Sequence, residues 1–319
     1  MSLNRKSYST ILGSIELIKK RGLLLSENDC KELENYLIKI GYYRLSGYFW
    51  YFYDNLPHSG QDHNFLKNTQ WQDVKRLYDY DEKCRHIFLV YLLKLEVSIK
   101  ALLCDVVGNK TQDSEWLYDV RNFSKATKKD NSHSQYLNDL QKTIQKHQKT
   151  AFIDDSYAPD FPRHETWKIF MLFSFGDIVF LLDRLSSVNL SLLATHLNLP
   201  ANDFKNILRG LKDIRNICAH SSRLWNEEHN RLPSLPSFLF TQQHLAISKC
   251  IDEKSLVNAT MSLYLILKRI DAPHADAFLH DIDTWIKAFV PIEDLNNPYV
   301  RSLGLKTDWE KYVQTMQSF

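Results

Sequence analysis

The side chains best placed by type and spacing to do chemistry lie in Arg215-Asn216-Ile217-Cys218-Ala219-His220. An imidazole titrates near neutral pH and can give or take a proton. A guanidinium offers a planar fork of donors to phosphate oxygens as negative charge builds on them. Together, without a metal cluster, they suit cleavage of RNA, whose 2′-OH is an internal nucleophile; the protein then needs only to move protons and stabilise charge. The competing reading is a helix-end arginine and a satisfied core histidine. With 14 arginines and 12 histidines in the chain, roughly half a match to Arg-x4-His is expected by chance. There are two, the second being Arg269 to His274, and context separates them. Pro273 interrupts the second match, whereas Arg215 continues an amphipathic helix.

That helix is predicted from Phe204, Ile207, Leu208, Leu211, Ile214 and Cys218, spaced at threes and fours. On it Asn216 and His220 share a face, so the amide can orient the imidazole. Arg215 lies well round the cylinder from His220. It joins the site only if the helix ends or distorts near His220, or if a second copy completes a cleft at a two-fold interface.

The elements that must position these residues read as helices. Ile11 to Ile40 has helical spacing, and Ser26 followed by Asp29 looks like an N-cap with an acidic first turn. The aromatic stretch Gly41 to Phe52 predicts a packed bend with a short strand. Trp71 to Val107 reads as one long helix, apolar nearly all round between Ile87 and Leu103, and so the central buried helix of a bundle. Residues 108–150, rich in lysine, read as an exposed insertion with helical pieces. A second apolar helix is expected over Glu165 to Leu185. Leu190 to Lys212 should split at Leu199-Pro200, with Asn202 or Asp203 as cap, and residues 241–290 should add two or three helices. The resulting division is an N-terminal helical and aromatic segment (1–75), a helical core (76–235) containing the insertion, and a C-terminal helical segment (236–319).

Composition narrows the function classes. Nine glycines in 319 residues is under half of the usual share of about 7%, and no two are spaced as a dinucleotide fingerprint or a P-loop. An all-α fold is expected. Hydrophobic residues at 44% and charged residues at 24% exclude disorder. The longest apolar runs, such as Ile87 to Leu93, stop far short of the ~20 residues that span a bilayer. MSLNRKSYST has no apolar region of the secretory type. Five scattered cysteines without a CxxC pair argue for a reducing cytoplasm and against a zinc knuckle. A net charge of +2 is too mild to argue for nucleic acid by itself.

Other groups keep two readings. Glu96 and Lys100 form an (i, i+4) pair, either structural or part of the site. The aromatics of Tyr42 to Phe52 either stack bases or pack a bend. Arg223 either binds phosphate or makes a surface ion pair. Lys125, Lys128, Lys129, Lys142, Lys146 and Lys149 form a solvated face or track RNA. His274, Asp276, His280, Asp281 and Asp283 lack the helical spacing of metal ligands, and neither metal nor cofactor is expected. Leu192 to Leu211 can be read as a helix-turn-helix, but its second helix offers only Lys205 and Arg209 as basic residues.

The motif continues as Ser221-Ser222-Arg223-Leu224-Trp225-Asn226, and the whole string closely resembles the RNxxAHxxRLWN signature of the Abi-like (AbiD/AbiF) abortive-infection family. Arg21-Gly22-Leu23 with Tyr42 to Tyr48 (YYRLSGY), Tyr78 to Asp81 with Leu95 to Lys100, Trp167 with Ser174-Phe175-Gly176, and Leu303-Gly304 with Asp308-Trp309 resemble further elements of that family, in order. Lys100 replaces a frequent arginine, keeping charge but losing the fork, and Tyr80 replaces a usual phenylalanine. The resemblance implies a HEPN-type helical bundle with helical extensions, acting as a metal-independent endoribonuclease in an abortive-infection or toxin–antitoxin system. It implies Arg215, His220 and Asn216 as catalytic residues, and a homodimer in which two motifs face each other. Arg223, Lys100 and Glu96 are the candidate substrate-binding residues. A cytoplasmic location, an RNA substrate and a neutralising RNA or protein antitoxin complete the expectation, with no membrane. The alternative is a non-catalytic nucleic-acid-binding module, either a helix-turn-helix regulator or an RNA-binding HEPN scaffold.

Overall fold

A computed structural model describes residues 8–54, 63–124, 133–147, 164–226, 232, 234–252, 254–289 and 303–319. Every regular element among them is helical, so the fold is all-α. The chain divides into two compact units, Met1–Arg85 with Ser221–Arg223, and His86–His220 with Leu224–Phe319.

In the first unit α1 (Ile11–Lys20) starts at Thr10, whose hydroxyl accepts from the Gly13 amide at 3.1 Å. The chain then turns through Gly22, which takes a φ of +95° that suits glycine. The expected capping box is present in α2 (Glu27–Ile40): Ser26 and Asp29 accept from each other's amides. The stretch predicted as a bend with a strand is instead α3 (Tyr42–Phe49) and a 3-10 turn, Trp50–Phe52; only isolated bridges follow, such as Tyr53 with Phe65. Aromatic packing of that stretch prevails. Tyr48, Phe49 and Tyr53 are buried and make edge-on ring contacts, while Tyr43 is exposed.

The helix α4 (Trp71–Thr111) begins in this unit. Trp71 donates to Glu32 at 2.8 Å, and Tyr36 donates to Asp79 at 2.8 Å. Two residues on, the fully buried Asp81 accepts from Tyr48 at 2.6 Å and pairs with Arg85, which also donates to the Tyr48 hydroxyl at 2.9 Å. Burial, and then the adjacent Asp81 charge, push the Tyr48 hydroxyl far above its ordinary range.

The second unit holds the rest of α4, then α5 (His133–Lys146), α6 (Thr166–Leu172), α7 (Phe175–Leu182), α8 (Ser187–His196), α9 (Ala201–Ala219), α10 (Leu245–Ser248), α11 (Leu256–Ile270), α12 (Ala272–Phe289) and α13 (Trp309–Gln317). The helix expected over Glu165 to Leu185 is two helices, because Ser174 and Asp177 form a capping box that starts α7 afresh. Before α9 the cap is Pro200 in extended conformation, not Asn202 or Asp203. Within 108–150 the chain is less exposed than expected: Trp116, Leu117, Phe123, Tyr136, Leu140 and Ile144 are buried.

The central helix is also not the expected one. Every residue of α11 from Leu256 to Leu267 is buried, whereas α4 leaves Val90, Leu93 and Val97 exposed. Its buried face includes Asn258, Thr260 and Ser262; small polar side chains can enter a core when they bond locally, as Thr260 does to the Leu256 carbonyl at 2.9 Å. Gly304 closes on the start of this helix. Its φ is +84°, and a Cβ there would lie 2.2 Å from Cβ of Ser255, the N-cap of α11. Gly304→Ala should therefore cost about 2–4 kcal/mol, from left-handed backbone strain plus overpacking. Urea denaturation checks this, and a negligible loss would disprove the tight approach.

Candidate active site

α9 is a 19-residue helix whose buried face is Phe204, Ile207, Leu208, Leu211, Ile214 and Cys218, the residues that predicted it. Gly210 lies on that face under Leu232, where a Cβ would come within 2.5 Å of the leucine side chain. The helix ends at the histidine. His220 is the C-cap, its amide donates to the Asn216 carbonyl at 3.0 Å, and Ser221 follows with a φ of +52°. The helix is regular from Arg215 to His220 and stops there, and His220 is exposed.

Arg215 is half-buried and points at an acid. Its Nη2 lies 3.5 Å from Oε2 of Glu96, whose Oε1 accepts from Lys100 Nζ at 2.9 Å. Glu96 is buried at 8% exposure, so its charge needs these cations. Lys100 also donates to the Phe173 carbonyl at 2.5 Å, just before the α7 cap. The other Arg215 terminal nitrogen, Nη1, donates to Oδ1 of Asn216 at 3.4 Å, so the Asn216 amide oxygen serves the arginine. Lys100, Glu96, Arg215 and Asn216 thus form one connected cluster in the second unit, and its two cations outnumber its one acid. The Glu96–Lys100 ion pair is formed, and it lies beside the motif arginine.

Arg223 belongs to the first unit, where its Nη1 donates to the Gly47 carbonyl at 2.5 Å. The second Arg-x4-His match is split between two helices, since α11 ends at Ile270 and α12 starts at Ala272. His274 lies 2.5 Å from Asp271 through Nδ1 and 2.7 Å from Lys94 through Nε2, which occupies both ring nitrogens. The neighbouring acids go separate ways: Asp276 to Lys268, Asp281 to Tyr91, and Asp283 to Trp309 and Lys287. Among the described residues no group of three or more His, Cys, Asp or Glu side chains could hold a metal. Lys142 and Lys146 are exposed on α5, while Lys125, Lys128, Lys129 and Lys149 lie outside the described residues. The helix-turn-helix reading fares poorly: from Ala201 to Asn216 only Asn202 is exposed, and Arg209 is paired with Asp183. No helix among the described residues is long and apolar enough to cross a membrane.

The sequence model of the Abi-like protein family matches residues 35–226, more than half of the chain, including α3, α4 and the whole of Arg215 to Asn226. The chain belongs to the Abi-like family. Neither a curated protein nor a solved structure matches it. Membership of the Abi-like family points to an abortive-infection role. Much of what makes this chain resemble the family is structural. Leu224 and Trp225 are buried, Ser174 to Asp177 is a helix start, and Tyr48 with Asp81 is a core hydrogen bond. The glycine turns at Gly22 and Gly304 lie outside the matched span.

Replacing Glu96 by alanine leaves Arg215 and Lys100 facing each other without their acid. The Abi-like chain should lose about 1–3 kcal/mol of stability, since removing one partner of a buried pair strands the other. Equal urea midpoints for the variant and the wild type would show that the cluster carries no net stabilisation.

Proposed function

We propose that this Abi-like protein is a metal-independent endoribonuclease of the HEPN type, acting in an abortive-infection or toxin–antitoxin system. The observation that carries the proposal is the end of α9, where a half-buried arginine and an exposed histidine sit within one turn and a half of helix. A pair of this kind is enough for RNA cleavage. His220 removes the proton from the 2′-OH, and the 2′-oxygen attacks the adjacent phosphorus. Arg215 donates to the phosphate oxygens as negative charge builds up on them. The P–O5′ bond breaks, and the leaving oxygen takes a proton from an imidazolium. The products are a 2′,3′-cyclic phosphate (or 3′-phosphate) and a 5′-hydroxyl. Asn216 and Glu96 orient Arg215, and Lys100 adds positive charge beside it. In a homodimer, the second copy's α9 supplies the second histidine, so that one imidazole acts as base and the other as acid. A neutralising RNA or protein would hold such a toxin in check in the cytoplasm.

Cleavage of RNA should persist in EDTA and leave 5′-hydroxyl ends. Loss of cleavage on chelation, or nucleic-acid binding without cleavage, would refute the enzyme reading and favour a binding module. His220→Ala should slow cleavage by about 10²–10⁴-fold with little change in RNA affinity. Arg215→Lys should also be severely impaired, because an ammonium keeps the charge but not the fork. His274→Ala, at the match split between two helices, should be nearly silent. Light scattering at micromolar concentration should report a dimer, and a monomer that cleaves RNA fully would remove the two-fold part of the proposal.

A further inference from the structure

Along the part of α4 that belongs to the second unit, one face is apolar and open to solvent. Val90, Leu93 and Val97 are 51%, 44% and 66% exposed, and Ala101 is exposed after them. At about 100° of rotation per residue, positions 90, 97, 101 and 108 fall within about 40° of one another and form one stripe. Its N-terminal half is bulky, and its C-terminal half holds Ala101 and Gly108. The chain's own packing does not ask for a glycine at 108, since a Cβ there would have open space on every side. A glycine within a helix costs up to about 1 kcal/mol relative to alanine. A close approach from outside the chain gives that cost a reason.

Charge marks both edges of the stripe. Lys94 and Asp105, both exposed, lie on one edge, about 60–80° round from Val97. Lys94 touches His274 at 2.7 Å and Asp105 accepts from Asn109 at 2.8 Å, but an ammonium has three protons and a carboxylate two oxygens, so each can take a further partner. On the other edge lies Lys100, with Glu96 and Arg215 beyond it.

We infer that this face of α4 receives the same face of a second copy of the chain, antiparallel, about a two-fold axis that crosses the helix near Ile99. Three features select that arrangement. It sets the bulky half of each stripe on the small half of the other, Val97 beside the partner's Ala101 and Val90 beside the partner's Gly108. It brings Lys94 against the partner's Asp105, twice. A two-fold perpendicular to the helices also keeps each edge on its own side of the interface. Both Glu96–Lys100–Arg215 clusters therefore end on one edge, level with the axis, across helices about 8–10 Å apart. A parallel pair would set Lys94 against Lys94 and Val97 against Val97, with the two clusters on opposite edges. α9 offers no comparable face, since from Ala201 to Asn216 only Asn202 is exposed. The inference rests on the ribonuclease reading only for its consequence, that the shared edge is the cleft in which two motifs work together.

Sedimentation velocity on the full chain tests it. The wild type should be a dimer at micromolar concentration. Val97→Lys, at a position that one chain leaves in solvent, should be a monomer there with unchanged circular dichroism. Lys94→Glu and Asp105→Lys should each weaken the dimer by about tenfold, and the two reversals combined in one chain should restore most of it. If Val97→Lys fails to fold, Gly108→Gln takes its place, because the single chain has room for that side chain. A monomeric wild type overturns the inference. So does a dimer that Val97→Lys leaves intact, which would put the second copy on another face. Weakening by each reversal without recovery in the double variant overturns the antiparallel register. RNA cleavage separates this inference from the ribonuclease reading. A dimer that Val97→Lys breaks but that cleaves no RNA leaves the interface standing and refutes the enzyme. A Val97→Lys monomer that cleaves as fast as the wild type overturns the shared cleft.

Discussion

A carboxylate taken out of water must find cations and donors where it is buried, and α4 meets that demand twice. Asp81 and Arg85 sit four residues apart, as do Glu96 and Lys100, with the acid on the N-terminal side each time. In the first unit the acid is fully buried, Tyr48 and Arg85 both reach its Oδ2, and the Tyr48 hydroxyl is driven far from ionisation. In the second unit the pair is left incomplete, because Lys100 takes one oxygen of Glu96 and the other faces Arg215. The same local device gives a sealed core in one unit and a partly open, net-positive cluster in the other.

The cluster constrains Arg215 more than it constrains His220. Glu96 lies beside one terminal nitrogen of the arginine, and Asn216 accepts from the other. The histidine, by contrast, sits at the last residue of the helix on the solvent side. The chain leaves it through a left-handed serine whose carbonyl accepts from Arg44.

Membership of the Abi-like family gives these features a common context, since the matched span runs from α2 to the residues just beyond His220. Several of the aromatic and glycine positions in the chain need no chemistry to explain them. Trp225 and Leu224 bury the segment that follows the motif, and Gly304 is kept small by Ser255. Lys100, Glu96, Arg215 and Asn216 gather at the end of α9 and on the facing turn of α4.

The all-helical fold, the capping box at Ser26, the long α4 and the amphipathic α9 followed from local spacing alone, because each depends on residues within a turn or two of one another. The motif and its proline-split rival could be told apart for the same reason. What spacing could not decide was which helix lies at the centre. α4 carries more apolar surface than its neighbours cover, and α11 takes Asn258, Thr260 and Ser262 into the core, with Thr260 bonded to the helix's own backbone. Nor could it decide what the arginines do. Arg223 and Arg44 are 179 residues apart in the chain, and each is committed to a carbonyl that only the fold brings within reach. Hydrophobic periodicity is written residue by residue, whereas a long-range hydrogen bond exists only once two distant segments have packed.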